Sequence, residues 1–479
     1  MSSNARVVSI RGSVMNIPLS SMVAAAIVAA PVVAVLISTH SQEAALVVVA
    51  AEAFCACLMI VPTFWLAVVL VVLIPFHALI SGLLGGFESS ARQVFAIWKD
   101  VLLLIGIFRV VLNNPNRRRI IEANCWILFW GGLLVLTYCV AFLRAPSIPA
   151  VFSIALETRF IGVMLFFMFL RLDEKRTATL LHLMLWSIGL LAMYGLIQYV
   201  WDYERLLPLI SNRTGLSADG HRRLYSYSLN ALEPAYASVI AILILFSGAA
   251  RHGRRVALWW IAILVPCLLL TYTRAAYLGL LAGIAALCII DRTQLRRIAV
   301  PSIVALSLIC GILLFGGPSA PRSGLGQRLQ SIVSQNDESS LAHKDRMRTA
   351  VSVISTNPFG IGLGKYGNID ARFAGEKEAQ YTENWVLQVA IGAGVIAAFA
   401  FVGVTATIVW SLLRRQCGES HKAALVAAAV SVFTAMTIAG VMVTIWDFLI
   451  PAVYAWALVG MAMATCGVRE RGQPVSLTR

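Results

Sequence analysis

Long apolar stretches, separated by short polar connections, run through most of the sequence. A membrane-spanning helix needs roughly 20 mostly apolar residues, so the pattern predicts an all-α fold, a polytopic transmembrane helical bundle of about 12–14 spans. Hydrophobic residues make up 59% of the 479-residue chain and charged residues 13%, which is typical of a chain embedded in lipid. The predicted spans are Leu19–Ile37, Ala44–Ile60, Phe64–Ile80, Ile97–Leu112, Cys125–Phe142, Val151–Leu170, Leu180–Trp201, Glu233–Ala249, Val256–Leu270, Ala275–Ile290, Ile298–Phe315, Trp385–Leu412, Ala423–Met442 and Phe448–Met463.

Two connections are long, at residues 202–232 and 316–382. Loops longer than about 15 residues are usually functional in a compact protein. Within the second loop, Met347, Val351 and Ile354 recur at helical spacing with charged residues between them. This spacing predicts an amphipathic helix over Leu341–Ser355, which lies against the outer membrane surface or against the protein's own roof.

The long loop divides the chain into three predicted regions. Residues 1–315 form the transmembrane bundle with its first spans, about eleven in number. Residues 316–382 form a large periplasmic or extracellular loop that carries the amphipathic helix. Residues 383–479 form the C-terminal spans and a cytoplasmic tail.

Basic residues concentrate in alternate connections. The 38 Lys and Arg residues exceed the 23 Asp and Glu residues, which gives a formal net charge of +15. Because this charge is spread over short connections and not over one continuous face, it does not indicate a nucleic-acid partner. Cytoplasmic connections carry the excess of Lys and Arg in membrane proteins. Both termini are therefore predicted to be cytoplasmic, and both long loops are predicted to lie outside.

Ionisable residues at membrane depth are candidates for function by default. Arg159 lies well inside its predicted span, where it either binds an anion or forms a structural ion pair within the bundle. Arg274 lies in a tight turn between two spans. There it either binds an anion or reaches out to lipid phosphate.

Glu233 precedes Pro234 at the start of a span, and Arg222 and Arg223 form a basic cluster shortly before it. A carboxylate complements the positive end of a helix, and proline suits the first turn. A structural role for Glu233 therefore competes with that of a positioned base or hydrogen-bond acceptor.

The long loop and the span after it contribute further candidates. His343 and Arg346 belong to a basic cluster on the predicted loop helix, which is either a ligand-binding cluster or a solvated face. Glu383 and Asn384 open the span that follows the loop, and Trp385 is expected in the interfacial belt of aromatic residues. Each of these positions also has an ordinary structural explanation.

The most distinctive stretch is Asn-Pro-Phe-Gly-Ile-Gly-Leu-Gly-Lys-Tyr-Gly at residues 357–367, which includes Tyr366. Glycines at alternate positions allow close backbone approach and unusual dihedral angles. The spacing is not that of a nucleotide-binding loop. The nine cysteines show no spacing of metal ligands either, so neither a cofactor nor a metal is predicted.

The order of these features over roughly residues 150–450 resembles the O-antigen ligase and polymerase superfamily. The resemblance rests on the large late loop and on the loop's ending: a helix, the glycine-rich stretch and Asn384 at the start of the next span. It rests also on the Leu232-Glu-Pro-Ala-Tyr-Ala-Ser and Thr273-Arg-Ala-Ala segments, each at the outer end of a predicted helix.

The resemblance implies a metal-independent, GT-C-like membrane glycosyltransferase that uses undecaprenyl-pyrophosphate-linked glycans outside the bacterial plasma membrane. Membrane lipid, a chain-length regulator and a flippase are the other partners that it implies. Arginines placed at the pyrophosphate would stabilise the leaving group. The predicted catalytic residues are Glu383 and Glu233, and the predicted pyrophosphate- or sugar-binding residues are Arg159, Arg222, Arg223, Arg274, His343, Arg346, Tyr366 and Asn384.

One position departs from the family pattern. Ligases and many other members have a histidine just before the asparagine that opens the span after the loop, whereas this chain has Glu383. The departure favours a polysaccharide polymerase, with Glu383 or Glu233 as the base, over a ligase that transfers polymer to lipid A–core or another acceptor. A transporter or flippase is the third alternative, although the sequence shows no internal repeat of the kind that many transporters have.

Overall fold

The computed structural model describes residues 55–83, 89–201, 223–290, 338–370, 382–415 and 419–465, apart from residues 229, 252 and 368. The chain divides into two compact units, Met1–Pro62 and Thr63–Arg479. In the first unit the structure describes a helical segment at residues 55–60. The predicted spans Leu19–Ile37 and Ile298–Phe315, and most of Ala44–Ile60, lie outside the described residues.

The described part of the second unit is built from α-helices and two short 3-10 turns, with no β-strand among its residues. The turns are Ser226–Ser228 and Ile445–Asp447. The helices are α1 (Thr63–Leu73), α2 (His77–Leu83), α3 (Ser89–Asn113), α4 (Arg117–Ala123), α5 (Cys125–Arg144), α6 (Ile148–Phe169), α7 (Glu174–Val200), α8 (Leu232–Ser247), α9 (Arg254–Leu270), α10 (Arg274–Ile290), α11 (Glu338–Thr356), α12 (Trp385–Ala393), α13 (Val395–Leu413), α14 (Ser420–Gly440) and α15 (Leu449–Thr465).

Several of these helices have the composition of membrane spans. Helices α5, α6, α7, α13 and α14 are long and apolar enough to cross a membrane, and α1, α8, α9, α10 and α15 are shorter apolar helices. Most begin and end within a few residues of the predicted spans. The predicted fold class is confirmed: the protein is an all-α, polytopic membrane protein.

Two predicted spans are wrong as continuous helices. The stretch predicted as Trp385–Leu412 is broken into α12 and α13 at Gly394, whose φ is +96°. The stretch predicted as Phe64–Ile80 is broken into α1 and α2 around Pro75. Apolar composition predicted the length of both stretches correctly, but proline removes a backbone donor and interrupts a helix, and glycine adopts a left-handed conformation readily.

Aromatic rings from four helices fill the core beside α12. The ring of Phe160 lies 4.6 Å from that of Trp456 and 6.1 Å from that of Trp385, and Phe401 packs against both Phe160 and Trp385. Trp385 is only 1% exposed, so the expectation that it lies in an interfacial belt is wrong. These contacts hold α6, α12, α13 and α15 together beneath the candidate site.

Glycines let two helix pairs approach closely, as small residues do between membrane helices. A Cβ at Gly279 of α10 would lie 2.9 Å from the carbonyl oxygen of Ala435 on α14, and one at Gly283 would lie 2.9 Å from that of Ser431. Rising residue numbers on α10 thus meet falling numbers on α14, so the two helices are antiparallel. The start of α10 therefore lies at the level of the end of α14.

The basic connections come together at one end of the bundle, called here the basic end. Arg251, after α8, pairs with Glu174 at the start of α7. Arg415, after α13, donates to Asn124 at the start of α5 at 2.8 Å. These contacts place connections that were predicted to share one side of the membrane at the same end. The opposite end, where α11 lies, is called here the loop end.

Candidate functional site

Helix α11 packs onto the protein through one apolar face. Ala350, Val353 and Ile354 contact a cluster that contains Tyr366 and Ile391. The predicted amphipathic helix is therefore confirmed, and of the two predicted positions it occupies the one against the protein's own roof. Its buried face differs from the predicted one at Val351, which is 55% exposed.

Glu383, which lies just before α12, contacts the loop helix α11. Its Oε2 atom lies 2.7 Å from His343 Nδ1, and its Oε1 atom accepts a hydrogen bond from the Arg346 guanidinium. His343 and Arg346 are three residues apart and therefore share one face of α11. Three residues that the sequence singled out separately thus form one cluster.

The surroundings of Glu383 favour its ionised form. Burial alone would raise the pKa of this carboxyl, but the hydrogen bond from His343 and the charge of Arg346 outweigh burial and lower it. Burial also raises the pKa of the nearby Tyr366, against a smaller opposing effect of Arg346. The cluster therefore holds an ionised carboxylate beside a neutral phenol.

Asn384 joins α12 to the end of α14. Its side-chain oxygen accepts from the Leu387 backbone N–H at 3.0 Å, which caps the N-terminus of α12. Its side-chain nitrogen donates to the carbonyl oxygen of Val441 at 2.9 Å. Asn384 is buried, so these two bonds fix where Glu383, the preceding residue, stands.

A further pair of polar contacts leads from α12 to α15. Gln388, one turn after Asn384, lies 3.2 Å from both carboxylate oxygens of Asp447. Asp447 ends the 3-10 turn that precedes α15. After this turn, Glu233 accepts a hydrogen bond from the backbone N–H of Leu449 at 3.0 Å and so caps the N-terminus of α15. Glu233 is buried, and its carboxylate faces the positive end of that helix.

Arg274 begins α10 close to these helix ends. It lies five residues before Gly279, or about 7.5 Å along the helix, which places it level with the last turn of α14. Arg223 donates from Nε to the carbonyl oxygen of Thr271 at 3.0 Å, in the turn that leads into α10. The two arginines thus flank one turn, whose Tyr272 has a left-handed φ of +52°. Arg222 lies outside the described residues.

Arg159 forms an ion pair inside the bundle. Its guanidinium donates from Nε to Asp100 Oδ1 at 2.6 Å and from a terminal nitrogen to Asp100 Oδ2 at 3.1 Å. Lys99 lies 3.8 Å from the same carboxylate. Arg159 was predicted either to bind an anion or to form a structural ion pair, and in the structure it forms the ion pair.

The glycine-rich stretch is packed between helices. Ile361 donates its backbone N–H to the carbonyl oxygen of Ile391 at 2.8 Å, which ties the stretch to the end of α12. A Cβ at Gly364 would lie 2.6 Å from Pro149, at the start of α6. The predicted close backbone approach is confirmed, and the left-handed glycines are Gly360, Gly362, Gly364 and Gly367.

Sequence reasoning missed several polar residues of this region. Asp100 and Asp447 were not singled out, although both are acidic residues in or beside apolar stretches, the signal that drew attention to Arg159. Gln388 was missed because an uncharged side chain in an apolar helix gives no comparable signal. Among the described residues, one group has the geometry to hold a metal ion, Glu174, Glu419 and His421, and it lies at the basic end.

The comparison with known families finds one matching family model. Residues 259–402 match a family model described as O-antigen ligase. The match confirms the predicted resemblance to the O-antigen ligase and polymerase superfamily and supports a membrane enzyme that acts on lipid-linked glycans. No curated protein matches the chain. The matched segment contains Arg274, His343, Arg346, Tyr366, Glu383 and Asn384.

Proposed function

We propose that the protein is a polysaccharide polymerase. It transfers a growing glycan from undecaprenyl pyrophosphate onto a lipid-linked repeat unit at the outer face of the bacterial inner membrane, with both termini in the cytoplasm. The observation that carries the proposal is the meeting of Glu383 with His343 and Arg346 inside the segment that matches the ligase family. This contact gathers acid–base groups and a cation at the loop end of the bundle.

The reaction requires charge stabilisation at the leaving group. A departing pyrophosphate keeps its negative charge, and preorganised arginines stabilise such a charge through charge-assisted hydrogen bonds. Arg274 and Arg223 flank the turn into α10, where they would bind the pyrophosphate without a metal ion. The acceptor is a sugar hydroxyl, a weak nucleophile that benefits from a base.

A ligase is the second candidate function, and the description of the matching family as O-antigen ligase favours it. Glu383, in place of the histidine that ligases have before the asparagine, weighs against it. The two enzymes differ in acceptor: a ligase transfers finished polymer to lipid A–core or a similar molecule. The comparison lends no support to a transporter.

Deletion of the gene, followed by analysis of lipid-linked and surface glycans, tests the proposal. A polymerase mutant is expected to accumulate single repeat units on the lipid carrier and to lack long polymer. Full-length polymer on the carrier, with none on its final acceptor, would instead establish a ligase. Unchanged glycans on both carrier and surface would refute both functions.

A further inference from the structure

We infer that His343 accepts the proton of the attacking hydroxyl and that Glu383 positions the His343 ring. The inference rests on the proposed function and assigns separate roles within the cluster. It makes His343, on the loop helix, the catalytic base of a chain in which Glu383, not a histidine, stands directly before Asn384. Glu383 then acts through His343 as a positioning residue.

The contact with Glu383 sets the tautomer of His343. An ionised carboxylate only accepts hydrogen bonds, so His343 Nδ1, at 2.7 Å from Oε2, must carry the hydrogen and donate it. In a neutral imidazole the other nitrogen, Nε2, then holds the free lone pair. Within the described part of the chain Glu383 is the single hydrogen-bond partner of His343, so Nε2 faces no competing donor there.

Glu383 is poorly suited to accept the proton itself. Each of its carboxylate oxygens already accepts a hydrogen bond, one from His343 and one from Arg346. The same contacts lower its pKa, which makes it a weaker base.

The loop helix holds the ring firmly and leaves it accessible. Ala350, two turns after His343, is buried against Tyr366 and Ile391 and fixes α11 to the protein. The His343 side chain is 26% exposed, so the ring is partly accessible from outside the protein. Among the described residues, His343 bonds Glu383, and Arg346 shares that carboxylate with it.

The proposed step is a displacement at the anomeric carbon of the donor sugar. The acceptor oxygen forms a bond to the anomeric carbon of the donor while its proton moves to His343 Nε2. The bond between the anomeric carbon and the pyrophosphate oxygen breaks, and the pyrophosphate leaves with the electron pair. The resulting imidazolium is stabilised by the Glu383 carboxylate and then returns its proton to solvent.

The test uses the purified full-length chain with a lipid-linked repeat unit, and it compares His343→Gln, Glu383→Gln and the double variant. General bases contribute about 10²–10⁴-fold to rate, so His343→Gln is expected to lose that much. Because the two residues act as a unit, the double variant should be no slower than His343→Gln. The matched control is Arg348→Gln on the same helix, whose side chain is 82% exposed and which should keep full activity.

Chemical rescue separates a catalytic base from a structural residue. Added imidazole is expected to restore transfer by His343→Gly and to leave Glu383→Gly unchanged. A wild-type rate in His343→Gln, or a His343→Gly variant that imidazole does not rescue, would overturn the inference. In either case transfer by the wild-type protein would still support the proposed function, whereas no transfer by the wild-type protein would refute that function itself.

Discussion

Gly360 and Gly394 pack backbone against backbone where the glycine-rich stretch crosses the break between α12 and α13. A Cβ at Gly360 would lie 2.8 Å from the Gly394 nitrogen, and one at Gly394 would lie 2.9 Å from the Phe359 carbonyl carbon. Val395 closes the contact by donating its N–H to the carbonyl oxygen of Pro358 at 2.9 Å. The broken helix and the end of the long loop are therefore a single structural feature.

Gly360→Ala should destabilise this contact. The residue has a φ of +81°, which costs an L-residue roughly 1–2 kcal/mol, and its added methyl group would collide with backbone. We expect a lower midpoint of thermal unfolding and faster proteolysis within the loop. Gly132→Ala is the matched control, because its added Cβ would meet no atom within 4 Å outside its own turn of helix. Equal stability of the two variants would contradict the backbone packing of Gly360 against Gly394.

The helical architecture was largely predictable, because the length and apolar content of each stretch determine whether it can span a membrane. The breaks were not predictable in this way. Gly394 looks like any other glycine within an apolar run, and it has a left-handed φ where its backbone contacts Gly360, which is distant in sequence. Composition carries no information about such a partner.

The ion pair between Arg159 and Asp100 should stabilise the folded protein. Removing one partner of a fully buried pair leaves the other uncompensated and costs about 3–5 kcal/mol, and this partly buried pair should cost less. Asp100→Asn should be the more harmful change, because it leaves two cations, Arg159 and Lys99, beside a neutral side chain. Arg159→Gln still leaves Lys99 to face Asp100.

Protein amount in the membrane and activity per molecule measure this effect separately. We expect the Asp100→Asn/Arg159→Gln double variant to recover much of the protein amount lost by Asp100→Asn. Transfer activity per molecule should stay near that of the wild type in the double variant. A stable but inactive double variant would instead assign Arg159 to the substrate, which is the other role predicted from the sequence.

Arg274→Gln should reduce transfer without reducing protein amount. Removing one donor that stabilises a developing negative charge typically costs about 10²–10³ in rate. The measurement is polymer length on surface glycans together with the rate of the purified protein. Arg255→Gln, an exposed arginine at the other end of the adjacent helix, is the control and should behave like the wild type. Normal polymer in Arg274→Gln would remove Arg274 from the proposed pyrophosphate site.

The candidate site was only partly predictable from the sequence. Glu383, His343 and Arg346 were each singled out by charge or position, but their meeting depends on how α11 docks through Ala350 and Tyr366. Periodicity predicts that a helix has an apolar face, not which surface that face will find. For the same reason the sequence could not show that His343 lies beside the residue that stands before Asn384.

Acidification should release the loop helix through Glu383. The folded-state pKa of this carboxyl is lowered from an ordinary value of about 4.3, so its stabilising contribution is complete above that value. The contribution is lost as pH falls from the ordinary value through the lowered pKa. Hydrogen exchange of α11 at a series of pH values measures this change. Glu383→Gln should remove this pH dependence, and an unchanged profile in that variant would assign it to another group.

Glu233 was predicted to act either as a structural carboxylate at a helix end or as a base. Its hydrogen bond from the Leu449 N–H allows the two roles to be tested separately. A glutamine can still accept the Leu449 N–H, so Glu233→Gln should keep both stability and transfer if Glu233 serves as the cap of α15. Glu233→Ala leaves the helix end without its acceptor and should lose about 0.5–2 kcal/mol of stability. Thermal unfolding and transfer rate, measured on both variants, distinguish these cases. A folded Glu233→Gln protein that has lost transfer would make Glu233 the base and would remove that role from His343.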